Sequence, residues 1–328
     1  MASSNVPAMA RLDLLPFTDE HLGASGRMLA ERHRRHRELE PLLPRRFEDA
    51  TAAQLEVEEA WRREHASGAI ALLDGAFSGY LIGAPRPPRQ WGPNVWIEAA
   101  GHAVAEPELL RDLYAAAAMR WVEDARTSHY VLTPNDPALV ETWFRLGFGQ
   151  QHVHAVKEVP PVALSRPHGV SVRRAGPADI EAVVLLDLVL PEYQAGSPVF
   201  SRGPVPVPAD VRADWEEELA DPTFGIFLAD VDGRTVGTAV GAPASVSSAH
   251  SGLARPEGAA VLGYAATLAE YRGRGVGIAL TEAVFEWARK AGYSTVVVDW
   301  RETNLLSSRF WPNRGFRPTF VRLYRSIP

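Results

Sequence analysis

The sequence predicts an α/β fold built twice in one chain. Three observations carry that expectation: a length of 328 residues, a strand–glycine turn–helix–strand run in the second half, and four landmarks that recur in order in both halves. One hydrophobic core seldom organises so long a chain, so two domains of about 150 residues each are expected. With 46% hydrophobic and 23% charged residues the composition is that of a globular protein, not a disordered one.

The landmarks justify the repeat. Leu15–Asp19 opens the first half as Arg174–Asp179 opens the second, each leading into a helix-like segment. Gly79–Pro85 (GYLIGAP) parallels Gly237–Pro243 (GTAVGAP), each following alternating apolar residues that mark a strand. Ala116–Trp121 parallels Glu282–Trp287 on a helix, and Trp143–Phe148 parallels Trp311–Phe316. A shared order at a nearly constant offset points to duplication. Val159–Gly169, rich in proline, reads as the linker, which divides the chain into residues 1–160 and 169–328. Ala84–Pro93 reads as a long turn, and Gly196–Pro208 as a loop covering a site.

Within the second half, Ala260–Leu268 reads as a strand and Val276–Ala291 as a helix. Leu280, Val284, Trp287, Ala288 and Ala291 form its apolar stripe and Gly292 its stop. Thr295–Trp300 is a β-branched strand, Asn304 caps a short helix bounded by Pro312 and Gly315, and Arg317–Ser326 returns as a last strand.

Composition narrows the chemistry. A formal net charge of -6 argues against a general nucleic-acid coat. Zero cysteines exclude disulfides, thiolate metal sites and a cysteine nucleophile. Met1–Leu12 lacks the pattern of a signal peptide, and the apolar run Val183–Leu190 is broken by Asp187 and too short to span a bilayer. A cytoplasmic protein without membrane contact, monomeric or homodimeric, is expected.

The most informative segment is Tyr271-Arg272-Gly273-Arg274-Gly275-Val276-Gly277. Glycines at a strand-to-helix junction let backbone amides turn into the gap, and the helix adds unpaired N–H groups and its positive dipole end. Phosphate is the matching ligand. The dinucleotide pattern fails because Ile278 and Leu280 stand where a third glycine is needed, and no GK[ST] triplet closes a P-loop.

This loop resembles the acyl-coenzyme A signature [RQ]-x-x-G-x-[GA] of the GNAT N-acetyltransferase superfamily, through Arg272, Gly275 and Gly277. Asn304 followed by Phe310, Trp311, Gly315 and Phe316 resembles the family's second landmark. The strong resemblance covers Ala259–Phe320, with the first half a diverged copy. It implies two domains, each a mixed, mostly antiparallel sheet flanked by helices. It further implies acetyl-CoA or another acyl-CoA as co-substrate, no metal, and transfer of the acyl group to an amine by direct attack. Ala265 and Thr267 would offer backbone groups to the pantetheine arm, Arg272, Gly273, Arg274, Gly275, Val276 and Gly277 would cradle the pyrophosphate, and Asn304 and Trp311 would complete the donor site.

Acyl transfer needs a neutral amine, so a proton acceptor is required. Asp299 is the favoured candidate, because Val297, Asp299 and Arg301 share one face of an otherwise apolar strand. The resemblance extends to ribosomal-protein alanine acetyltransferases, which carry an acid five residues before the Asn. A structural carboxylate paired with Arg301 or Arg317 is the other reading. Glu302 and Glu270, at turns, are weaker candidates. Trp311 replaces the family's tyrosine, whose phenol protonates the departing thiolate; an indole N–H is no usable acid. Ser308, Tyr264 or water would have to assist.

In the first half, aligning Trp121 with Trp287 puts Glu106, Leu109 and Arg111 in place of Arg272, Gly275 and Gly277. No donor binding is expected there. His33 and His36 lie in an Arg-rich stretch that reads as a solvated helical face, and His152 and His154 alternate on a strand with no evident third ligand. A small-molecule amine is the preferred acceptor. A silent acyl-CoA-binding or scaffold protein, and acetylation of protein N-termini or lysines, are the alternatives.

Overall fold

The computed structural model describes residues 11–87, 91–162, 167–201 and 205–328. Parts of the three Pro-rich stretches (88–90, 163–166 and 202–204) and residues 1–10, on which the signal-peptide reading largely rests, lie outside the described residues. The chain forms two compact units: residues 1–150 together with 320–328, and residues 151–319.

The first unit opens with β1 (Leu12–Pro16), α1 (Leu22–Leu39) and α2 (Ala50–Trp61). The Asp49 carboxylate starts α2 by accepting from the amides of Thr51 and Ala52. β2 (Ser67–Leu73), β3 (Ala76–Gly83), β4 (Asn94–Ile97), β5 (His102–Val104), α3 (Leu109–Glu123), β6 (Ser128–Pro134) and α4 (Pro137–Arg145) follow. β1, β2, β3 and β5 form an antiparallel ladder, while β4 runs parallel to β6. Residues 320–326, at the end of the chain, pair antiparallel with β6.

The second unit contains β7 (Gly149–Glu158, from Gln151 onward), β8 (Ser171–Arg174), α5 (Ile180–Asp187), α6 (Val189–Ala195) and α7 (Pro208–Ala220). β9 (Gly225–Val231), β10 (Arg234–Pro243), β11 (Ala259–Thr267), α8 (Val276–Lys290), β12 (Thr295–Arg301), α9 (Ser307–Asn313) and the start of β13 (Arg317–Ser326) complete it. Its strand order is β8-β9-β10-β11-β12-β7, antiparallel except for β11 and β12. The chain thus has the expected α/β architecture of mixed, mostly antiparallel sheets flanked by helices.

The repeated strand motif has a packing cause. A Cβ added at Gly83 would fall 2.6 Å from the Trp121 ring of α3, and one at Gly241 would fall 2.7 Å from the Trp287 ring of α8. Four residues earlier, on the same strand face, Gly79 meets Leu113 and Gly237 meets Val276 and Leu280. In each unit two glycines let a Trp-bearing helix settle onto the sheet. On the opposite face of the second sheet, Val183, Val184 and Leu186 of α5 and Trp215 of α7 close over Ile226, Leu228 and Val240.

One expectation fails here. The Arg-rich stretch of α1 is not a solvated face: Arg32, His33 and His36 are buried. Backbone carbonyls partner two of them, His33 Nε2 lying 2.8 Å from the Pro44 oxygen and Arg32 donating to the oxygens of Ala99, at 2.6 Å, and His102. Polar side chains enter a core when main-chain acceptors await them.

Candidate functional site

β11 and β12 pair in parallel over only three registers, ending at Val261↔Val297. Beyond that point β11 bulges: Val240 and Gly241 of β10 oppose Tyr264 and Leu262, so Gly263 is left over. The two parallel strands separate, and a cavity of about 390 Å³ lies in the second unit along the later part of β11. Ala265, Ala266 and Thr267 line it, as do Val189, Leu190 and Tyr193 of α6, and Asn304, Ser307 and Trp311 from around α9.

The glycine loop closes the same cavity through Arg272, Gly273, Gly275, Val276 and Gly277. Gly273 and Gly275 take φ of 77° and 85°, a left-handed backbone that β-carbons resist. A Cβ on Gly275 would also strike Pro167 at 2.7 Å. α8 starts at Val276, so the amides of its first turn have no partner within the helix and face the site with its positive end. Arg272 lies with its guanidinium 5.1 Å from the Tyr193 ring and its Nε 3.3 Å from the Thr267 oxygen. Arg274 stands apart from the lining, 3.4 Å from Asp232 and 5.3 Å from the Tyr271 ring. A loop of this kind suits a diphosphate.

Asn304 is buried, and its Oδ1 accepts from the amides of Leu306 and Ser307 at 3.1 and 3.2 Å. The cap engages the oxygen; the side-chain NH2 is a second, separate donor on a residue that lines the cavity. Trp311 is buried against Phe310 and Phe316. Ser307, not Ser308, is the serine on the cavity wall; Ser308 sits one position further along α9 and its amide bonds the Asn304 carbonyl. The Tyr264 hydroxyl donates to the carbonyls of Leu186 and Asp187 at 2.9 and 2.7 Å, pinning the α5–α6 corner to β11. Burial, then the charge on Asp187, raises that phenol above its ordinary range, the wrong direction for an acid.

Arg301 reaches Gln194 of α6 at 3.0 Å, and Arg317 pairs with Glu158 at 2.8 Å. Asp299 instead meets histidines: its Oδ2 lies 2.7 Å from His152 Nε2 and its Oδ1 3.9 Å from His250 Nδ1. Antiparallel pairing sets His154 opposite Asp299 and His152 opposite Arg301, which brings both rings onto the carboxylate's face. His154 and His250 stack edge to face at 5.0 Å. Burial works against the Asp299 charge, but the His152 hydrogen bond and the charges of His152, His250 and His154 outweigh it. The carboxyl is therefore held well below the usual carboxylate range. Burial pushes the His250 imidazole down, against the pull of Asp299. The alternation of His152 and His154 was visible in the sequence; their partner, nearly 150 residues away, was not. Among the described residues, no group of three or more His, Asp or Glu is arranged to hold a metal ion. Glu302 accepts from the Trp300 indole, and Glu270 pairs with Arg234.

Comparison with known proteins agrees with this anatomy. Residues 185–316 match the acetyltransferase (GNAT) family model, a span containing the cavity, the glycine loop and α9. No curated protein sequence matches the chain. Among solved structures, a GCN5-related N-acetyltransferase from Sphaerobacter thermophilus aligns over 96% of this chain and 95% of its own, with a TM-score of 0.57 at 16% identity. The GCN5-related glucosamine N-acetyltransferase region of a fungal multi-domain GH3 β-N-acetylglucosaminidase aligns over 97% of this chain and 38% of its own, with a TM-score of 0.52 at 13% identity. A tandem GNAT protein from the clavulanic acid biosynthesis pathway aligns over 96% of this chain and 98% of its own, with a TM-score of 0.49 at 15% identity. The fold and site define an acetyltransferase-like protein of acyl-CoA type. Residues 185–316 of the second unit form a GNAT-family acetyltransferase domain, and the chain as a whole has a tandem GNAT-like fold.

Proposed function

We propose that the second unit transfers an acyl group, acetyl in the first instance, from its coenzyme A thioester to the amine of a small molecule. One observation supports this reading above the rest: the glycine loop, the separated edge of β11 and the Asn304 side chain line a single cavity. The residues fit the donor. Gly273, Gly275 and the first turn of α8 present amides where side chains would block a diphosphate, with Arg272 on the cavity wall adding charge. Ala265 and Thr267, past the last β11–β12 pair, have backbone groups for the amide-bearing pantetheine arm, and Asn304 and Trp311 bound its far end. When bound, the thioester supplies an activated acyl carbon.

The protein's own part is to hold donor and amine together, which alone supplies much of the rate, and to take a proton. Asp187 and Glu192 near Tyr264, with Asp214 and Glu218 behind them, favour a cationic amine on the α6 side. We assign the reaction to the cytoplasm and to a monomer or homodimer, and give the first unit no role in donor binding.

Calorimetry with acetyl-CoA and thiol release over a panel of amino sugars, polyamines and aminoglycosides test the reading. Binding with amine-dependent thiol release is the expected result. Binding without turnover would make the protein a silent acyl-CoA binder, and absence of binding would overturn the proposal.

A further inference from the structure

Resting on that reading, we propose that His152 is the proton acceptor for the incoming amine and that Asp299 is its positioning residue. The strand before the linker would then supply a catalytic group to the second unit's site.

Geometry selects the pair. Asp299 lies two residues past the last β11–β12 register, beside the bulge at Gly263, where the parallel strands have begun to part. It points to the face covered by α6: Arg301, two residues on and on the same face, bonds Gln194, the neighbour of cavity-lining Tyr193. Tyr264, which faces the same way, anchors α6 to β11. Of the imidazoles around the carboxylate, His154 and His250 are buried, whereas the His152 side chain keeps 14% of its surface exposed and so can meet an acceptor.

Chemistry assigns the roles. A carboxylate held so far down by its neighbours is a poor acceptor at neutral pH. It is well suited to receive the Nε2–H of His152, fixing the tautomer that leaves the basic lone pair on Nδ1 and stabilising the imidazolium once formed. The groups facing the pair are the His154 and His250 imidazoles and the Arg301 guanidinium, and the acidic ones near α6 are Asp187 and Glu192. The step balances: an ammonium gives one proton to His152, the freed nitrogen lone pair bonds the acyl carbon, and the C–S bond breaks with its electrons on sulfur. A second N–H proton then neutralises the thiolate, and the proton on His152 returns to water.

The test compares wild type with His152→Gln, Asp299→Asn and His154→Gln, each first titrated with acetyl-CoA. Donor affinity should be unchanged in all. With an amine cationic at the assay pH, His152→Gln should lower kcat/KM about 100-fold. The deficit should shrink toward unity for hydroxylamine or methoxyamine, largely neutral at that pH, and added imidazole should restore part of the rate. A low-field Nε2–H proton signal from His152 should be present in wild type and lost in Asp299→Asn. An equal loss for neutral and cationic amines, an unchanged rate in His152→Gln, or the absence of that signal in wild type would overturn the assignment. Failure of wild type to bind acetyl-CoA, or to release thiol with any amine, would instead overturn the acyltransferase reading.

Discussion

Asp136 and Asn304 occupy the same place in the two repeats, each seven residues before the Trp of the Trp-x3-Gly-Phe landmark. Each caps the helix that follows. Asp136 accepts from the amides of Ala138 and Leu139 at 2.8 and 3.2 Å, much as Asn304 accepts from Leu306 and Ser307. Capping therefore does not account for the asparagine, since aspartate serves as well. What Asn304 has and Asp136 lacks is a donor, and a donor is what a ligand rich in carbonyl and phosphate oxygens requires. The scaffold was kept in both copies, and the side-chain atom beside the cap differs.

The same contrast runs through the rest of the site. Where β11 continues past a one-residue bulge and leaves a gap beside β12, the first unit breaks its strand into β4 and β5. Arg32 and Tyr80 fill the break: Arg32 donates to the carbonyls of Ala99 and His102, and the Tyr80 hydroxyl to that of Ala100 at 2.8 Å. Where Gly273 and Gly275 open the start of α8, Glu108 precedes α3 and is bonded by Arg111 and Arg145 at 2.6 and 2.8 Å. The negative charge that a helix N-terminus favours is already supplied there by the protein.

The largest effect should come from forcing the second loop to resemble the first. Gly275→Val puts a branched side chain at φ 85° and against Pro167, so the loop must move. Losing one or two charge-assisted hydrogen bonds should weaken acetyl-CoA binding by about 100-fold, or about 3 kcal/mol. The reverse change, Leu109→Gly, should confer no binding, because Glu108 still holds the helix end. Calorimetry on both variants checks the pair, and binding gained by Leu109→Gly would break the comparison.

Next in size is the plug of the first unit. Burial brings the Arg32 guanidinium down to about 10, still charged at neutral pH, and it has carbonyls, not carboxylates, for partners. Arg32→Met leaves those oxygens buried without a donor, which should cost about 2–4 kcal/mol. Urea unfolding should register this loss while acetyl-CoA affinity stays at the wild-type value.

A smaller, symmetric effect is expected at the glycines beneath the two tryptophans. Gly83→Ala and Gly241→Ala each push a methyl into an indole, at about 1–3 kcal/mol apiece by overpacking. Near-equal losses of stability would sharpen the repeat. A loss at one site only would mean that the two helices seat differently.

Much of this was legible in the sequence because it is local. The strand, glycine turn, helix and capped short helix of the second unit follow from periodicity and from residues within a few positions of one another. Gly79, Gly83, Gly237 and Gly241 revealed the repeat because close packing admits no other residue. The features that escaped depend on distant partners. Arg32 and His33 read as solvated because their acceptors, at Ala99, His102 and Pro44, are main-chain carbonyls with no sequence signature. Asp299 read as a proton acceptor or an arginine-bound carboxylate because its histidines come from β7 and from the segment before β11. That residues 320–328 complete the first unit is likewise invisible to local patterning.

The finest test of the comparison is pH, because Glu218 of the second unit and His33 of the first are shifted in opposite directions by burial. Glu218 of α7 is raised to about 7, first by burial and then by the charges of Asp214, Asp187 and Glu217. Folded protein therefore holds that proton more tightly than unfolded protein does. The associated stability is present below about pH 4.5 and is lost as pH rises through 7. In the first unit His33 is lowered to about 4, chiefly by burial and despite its hydrogen bond to the Pro44 carbonyl. There the unfolded chain binds the proton more readily, so the stability is present above pH 6.5 and falls as pH drops toward 4. Glu218→Gln should accordingly raise stability at pH 8 by about 1–2 kcal/mol, allowing for partial exposure, and leave it unchanged at pH 4. His33→Gln should flatten the acid-side loss by a similar amount. Urea titrations at pH 4.5 and 8 measure both. If the two substitutions shifted stability in the same direction at the same pH, Glu218 and His33 would not be opposed, and the contrast would rest on the loop and the strand break alone.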